Sequence, residues 1–190
     1  MWYDLLIRSC YVYFYRSFHN GHLSIIEYLS KKYPNEIICV AIIKDYPFLG
    51  EKSDFDKRVD IELSKKSDAL DAEKTLHIIT NILQNRGYKN TVVTLMPRAS
   101  SESWKVIESL FDCNRIWVFT DNQQQPDSWE ELKRNFYVSM NEDIILVPIE
   151  KTVNGTDIRI RLKNKDYEIL RESLPKEVID FYKKYDFYEK

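Results

Sequence analysis

Two histidines, His19 and His22, flank Gly21 within the stretch FYRSFHNGHLSIIEYLSKKYP, which runs from Phe14 to Pro34. Imidazole N–H groups donate hydrogen bonds to oxyanions, and a glycine between them lets a flat or charged ligand approach the backbone with no Cβ in the way. That combination suits phosphate oxygens as charge develops on them during phosphoryl or nucleotidyl transfer. One well-placed donor of this kind lowers such a barrier by roughly 3–4 kcal/mol. A second candidate lies far downstream, in TVNGTDIRIRL from Thr152 to Leu162. Asn154 and Gly155 give it a polar, flexible start, Thr156 is the expected helix N-cap, and Asp157 suits the positive end of the helix dipole. Arg159 and Arg161 follow within the first turns; a guanidinium there can fork onto a phosphate or form a surface ion pair.

Both candidates need a strand or loop that delivers them to a helix start, and the patterning provides one. CYVYFY is rich in β-formers, and the helix after it sets Ile25, Ile26 and Leu29 on one face and Glu27, Ser30 and Lys31 on the other. EIICVAII, Glu36 to Ile43, is a continuous apolar run of the kind buried on both faces of a parallel sheet. AEKTLHIITNIL then predicts a helix with Asp71 at its N-cap. TVVTLM, RIWVFT and DIILVPI predict further strands, and SSESWKVIESLF and SWEELKRNF helices. LPKEVIDFYKKYDFY closes the chain as a helix with Pro175 at its start.

Alternating strand and helix implies an α/β fold: a single domain over residues 1–190 with a doubly wound parallel sheet and a helical C-terminal segment from residue 156. In such sheets ligands sit outside the carboxyl ends of the strands, where SFHNGH falls. Unpaired backbone N–H groups at a helix start make a ready anion site there. Residues 44–71 interrupt the alternation. They are rich in Lys, Asp and Ser, and predict either a solvated excursion with a short helix near FDKRVDIEL or a lid over the site.

Composition narrows the alternatives. With 190 residues, 44% hydrophobic and 31% charged, the chain is long and apolar enough for a sizeable core. A net charge of −2 and the lack of a basic stripe argue against nucleic acid and acidic membranes as partners, so any anion must be held locally. The three cysteines, Cys10, Cys39 and Cys113, are far apart, as expected in a reducing cytoplasm. MWYDLLIRSC is too short an apolar run for a signal peptide, and no stretch approaches a membrane span. There is no Walker-A loop, no G-x-G-x-x-G, no nucleophile elbow and no H-E-x-x-H.

An H-x-G-H after the first strand with a late I-S-G-T-E-I-R type motif resembles the nucleotidyltransferase superfamily, and within it the archaeal-type nicotinamide-nucleotide adenylyltransferases. FHNGHLSIIEYL is similar to that family's FHxGHLxVIxxIL, and AEKTLHIITNIL to its AGERVMMLTKAL helix. SESWKVIESLFDCNRIWVFTDN, and VNGTDIRIRL followed by SLPKEVIDFY, match later family segments in the same order. The resemblance implies a Rossmann-like nucleotidyltransferase fold and transfer of AMP from ATP to nicotinamide mononucleotide, releasing pyrophosphate and forming NAD.

The same resemblance gives His19, His22 and Arg159 catalytic roles. Arg16, Phe18, Asn20, Gly21, Asn154, Gly155 and Thr156 would bind ATP and its phosphates. Trp104, stacking on the acceptor base, would join Thr120, Asp121 and Asn122 at the acceptor nucleotide. Mg2+ would arrive with ATP, held by substrate oxygens and water rather than by protein side chains, and a homo-oligomer would be expected. The chain departs from the family in its first strand, where Phe14 stands for arginine and Arg16 for glutamine. Pro97, Arg98 and Ala99 stand where the family carries P-V-Q-D. Transfer to a different phosphorylated acceptor, and a catalytically impaired nucleotide-binding module, are the alternatives these departures open.

Overall fold

The apolar run after Glu36 becomes strand β2, Ile37–Lys44, in a computed structural model of the protein, and its six central residues are all buried. The structure describes residues 8–14, 18–44, 51–64, 72–111, 114–120, 128–149 and 155–185, with the backbone alone at 8–14, 62–64, 128–130 and 156. Around β2 lie β1 (Arg8–Phe14), β3 (Thr91–Pro97), β4 (Asn114–Thr120) and β5 (Asp143–Val147). All four pairings are parallel, and the five strands form one sheet in the order β3-β2-β1-β4-β5. The order reverses at β1, which pairs with β2 on one side and β4 on the other.

The helices are α1 (Asn20–Lys32), α2 (Asp54–Ser64), α3 (Ala72–Asn85), α4 (Trp104–Leu110), α5 (Ser128–Ser139), α6 (Gly155–Lys163), α7 (Tyr167–Leu170) and α8 (Lys176–Tyr185). The two-residue period of a strand sends alternate side chains of β2 to opposite faces. Ile38, Val40 and Ile42 join a core with α1, α3, α6, α7 and α8. Cys39, Ala41 and Ile43 join a second, aromatic core with α2, α4 and α5. β4 divides in the same way, with Val118 on the first face and Trp117 and Phe119 on the second. The structure is thus α/β with a parallel sheet covered by helices on both faces. Among the described residues no helix is long and apolar enough to cross a membrane.

Local chemistry explains the boundaries. Gly87, at φ +76°, ends α3 as Tyr88 N–H reaches back to the Leu83 carbonyl at 3.0 Å. Helix α6 begins at Gly155, so Thr156 lies inside the first turn and is not the N-cap expected from the sequence. A glycine at a helix start carries no side chain to compete with the backbone, which lets the helix extend one residue further back. α2 occupies the segment expected to hold a short helix. Its Phe55 and Val59 are buried in the aromatic core, because an amphipathic turn with two apolar residues four apart covers the open side of α5.

At the amino ends of β4 and β5, a buried acid ties the strands together. Glu142 accepts from Arg115 Nε at 2.9 Å, from the guanidinium Nη2, and from Trp117 Nε1 at 2.7 Å. Both charged side chains are nearly enclosed, at 14% and 6% exposure. Removing one partner of such a pair strands the other charge out of water. Glu142→Ala should therefore lower the urea unfolding free energy by about 3 kcal/mol while the far-ultraviolet circular dichroism persists. A loss below about 1 kcal/mol, within the range of an exposed pair, would show the contact to be dispensable.

Candidate functional site

The imidazole pair is built by α1 itself. His19 is the N-cap, with extended backbone (φ −138°, ψ 171°), and Asn20 begins the helix. The His19 and His22 rings stack with centroids 3.7 Å apart and planes inclined by 28°. Behind His22 lies Phe18, whose ring is near-parallel at 6.0 Å. Gly21 makes this possible through space rather than backbone freedom. A Cβ there would stand 3.0 Å from both Cε1 and Nδ1 of His19, tighter than nearly all real contacts. His22 Nδ1 accepts from the His19 N–H at 3.4 Å, a long bond that favours the tautomer carrying its proton on Nε2.

The second helix start is set by α6, which follows β5. Arg159 folds back along its own helix, so that one guanidinium nitrogen lies 3.6 Å from where a Gly155 Cβ would be. The cation and the α6 amino terminus therefore share one corner. Ile158 and Leu162 of α6 enter the same core as Phe18, Leu23 and Ile26, which puts α6 on the α1 face of the sheet. Because the strands are parallel, the β1 end that leads to α1 and the β5 end that leads to α6 lie on one edge of the sheet. β1 and β5 are separated there only by β4, a span of roughly 10 Å at ordinary strand spacing.

Asn20 locks this arrangement. Its backbone N–H donates to the Ser173 carbonyl and its Nδ2 to the Glu172 carbonyl, each at 2.9 Å. The turn between α7 and α8 is thereby pinned against the start of α1. Asn20, expected from the sequence at the phosphates, thus directs its backbone N–H and one Nδ2 hydrogen bond to the C-terminal segment. Phe18, also expected at the phosphates, is 3% exposed, and its ring packs in the core beside His22. Trp104 is 2% exposed, packed tilted to Trp117 and edge-on to Phe136 and Tyr137. Trp104, expected from the resemblance at the acceptor base, packs in the core of this face, where α4 turns Trp104 and Ile107 inward. Thr120 ends β4, half-buried and paired with Val147, at the carboxyl edge as expected. Arg16, Asn154, Asp121 and Asn122 lie outside the described residues, as does the Thr156 side chain.

A second polar cluster on this edge is visible only in the fold. Arg98, immediately after β3, is 5% exposed and ion-pairs with Asp60 of α2. Lys52 reaches the other carboxylate oxygen at 2.5 Å. The sequence registers Arg98 only as one of the residues, with Pro97 and Ala99, that stand where the resemblance implies P-V-Q-D; its usable signal is an arginine in the turn straight after a buried strand. Hydrogen bonding from Lys52, joined by Arg98 and opposed by partial burial, holds the Asp60 carboxyl below its ordinary range. The folded state thus prefers the ionised acid, so this contribution is present above roughly pH 4 and is lost as pH falls through the lowered value.

No family profile matches this chain, and no curated protein sequence matches it either. The chemistry of the site therefore rests on its own geometry: stacked imidazoles, two helix starts and a guanidinium along one strand edge. Among the described residues no group of three or more His, Cys, Asp or Glu is placed to hold a metal ion. Gly21→Ala tests the imidazole geometry. Helix propensity favours alanine by about 1 kcal/mol, so thermal stability should hold or rise. The His19 and His22 ring signals in long-range 1H–15N spectra should nevertheless shift as the new methyl displaces the His19 ring. Unchanged ring signals would mean that the glycine is not what permits the stack.

Proposed function

We propose that this protein is a nucleotidyltransferase that moves AMP from ATP to a phosphorylated mononucleotide, with nicotinamide mononucleotide the acceptor suggested by sequence resemblance. The observation that carries the reading is the His19–His22 stack at the start of α1, with α6, whose Arg159 folds back onto its own start, packed on the same face of the sheet. The strand order and the helices on both faces support the finer reading of the fold as a doubly wound, Rossmann-like nucleotidyltransferase sheet.

In this reaction an oxygen of the acceptor phosphate attacks the α-phosphorus of ATP. The bond to the bridging oxygen of the β-phosphate breaks, and pyrophosphate leaves with that oxygen. The nucleophile is already an anion, so no general base is required; alignment and charge neutralisation supply the rate. The imidazole N–H groups stabilise the α-phosphate oxygens as charge gathers, and Arg159 with the α6 start receives the departing pyrophosphate. Mg2+ would come in on the triphosphate, held by substrate oxygens and water. The burial of Trp104 favours a second reading of the acceptor pocket, in which another phosphorylated acceptor replaces nicotinamide mononucleotide.

Pyrophosphate release should depend on both ATP and a mononucleotide. His22→Ala should lower its rate by about 10²–10³-fold with the thermal midpoint nearly unchanged. Turnover equal to the native chain would remove His22 from the chemistry. ATP binding with no pyrophosphate from any member of a mononucleotide panel would leave a nucleotide-binding module.

A further inference from the structure

The cluster at the end of β3 holds two cations on one carboxylate. Arg98 is enclosed, with its side chain 7% exposed, whereas Asp60 is 31% exposed and Lys52 37%. The buried guanidinium is thus reached from solvent past the acid that neutralises it. The cluster lies at the carboxyl edge, two strands from β1, the part of a parallel sheet where ligands bind. The acid comes from α2, a helix anchored otherwise by Phe55, stacked on Phe136 at 4.0 Å, and by Val59. Asp56, the neighbouring acid, is already engaged in capping α2: it accepts from the Ser53 hydroxyl at 2.6 Å and the Ser53 N–H at 3.0 Å.

A carboxylate and a phosphate monoester present the same planar fork to a guanidinium, but the phosphate carries up to two charges and three acceptor oxygens. We infer that Arg98 and Lys52 form a binding site for the phosphate of a phosphomonoester ligand, and that Asp60 occupies this site in its absence. Binding exchanges one anion for another on Arg98 and releases the Asp60 end of α2. The ligand's phosphate replaces a carboxylate already desolvated on that guanidinium, so Arg98 is never left buried without a counter-charge. Identifying the ligand as the acceptor nucleotide rests on the adenylyl-transfer reading; the exchange itself does not.

Ribose 5-phosphate, which carries the phosphomonoester without a base, is the probe, titrated calorimetrically without ATP into the native chain and its variants. Asp60→Asn should tighten binding by about tenfold, the worth of one charge-assisted hydrogen bond, and Lys52→Ala should weaken it several-fold. Arg98→Gln should abolish it; since that variant touches a buried group, its fold is checked by thermal unfolding, and Lys52→Ala carries the test if it fails. Saturating ribose 5-phosphate should also speed amide hydrogen exchange in α2 of the native chain. Unaltered affinity in Asp60→Asn, or α2 exchange indifferent to the ligand, would overturn the exchange and leave a purely structural pin. Inorganic sulfate binding as tightly as ribose 5-phosphate would overturn the assignment to a phosphomonoester. Pyrophosphate release by the native chain is a separate readout. Its absence alongside normal ribose 5-phosphate binding removes adenylyl transfer and leaves this site standing.

Discussion

A parallel strand delivers the amino terminus of its following helix to the carboxyl edge of the sheet. Each crossover repeats that delivery; on one face β1 hands over to α1, β2 leads by way of α2 to α3, and β5 leads to α6. Helix amino termini carry unpaired donors and partial positive charge, so like ends are gathered along one edge. That electrostatic crowding is unfavourable in isolation and is relieved when carbonyls, acids or anions come to meet it. The structure shows one such relief at the start of α1, and an ion-pair cluster at the end of β3 on the same edge. Carbonyls of Glu172 and Ser173 meet Asn20, and the Asp60 carboxylate meets Arg98 and Lys52.

Rigidity at the edge comes from the core beneath it. Phe18 is buried while the next residue is an N-cap, so His19 and His22 stand on a wall that does not yield. The C-terminal helices contribute Ile158, Leu162, Leu170, Leu174, Val178 and Ile179 to that same core. Asn20 then joins α1 to the α7–α8 turn directly. The two helix starts are therefore positioned by one packed body, which is what alignment of a triphosphate between them requires.

Much of the fold was legible in the sequence, for physical reasons. β2 announced its burial through an unbroken apolar run, and α1, α3 and α8 through apolar residues at helical spacing. The place of His19, Gly21 and His22 at the start of α1 was legible from the β-rich run before them and the helical spacing after them. Side-chain destinations were less so. Trp104 is amphipathic, and nothing local distinguishes an indole turned to the core from one turned to a ligand; its neighbours Trp117, Phe136 and Tyr137 decide it from distant positions. Asn20 engages residues more than 150 positions away, and Arg98 an acid 38 positions back. Such long-range pairings have no period and no motif. The start of α6 moved by one residue because capping preferences compete closely at helix ends.

The account turns on one triphosphate bridging the α1 and α6 starts, and binding reports this more directly than turnover. The ring 15N signals of His19 and His22 and the guanidinium signal of Arg159 can be followed in one titration with a non-hydrolysable ATP analogue. The account predicts that all three move on a single saturation curve, and that Arg159→Ala weakens the shift at the imidazoles. Imidazole signals that saturate while Arg159 stays still, or that follow a separate curve, would contradict it.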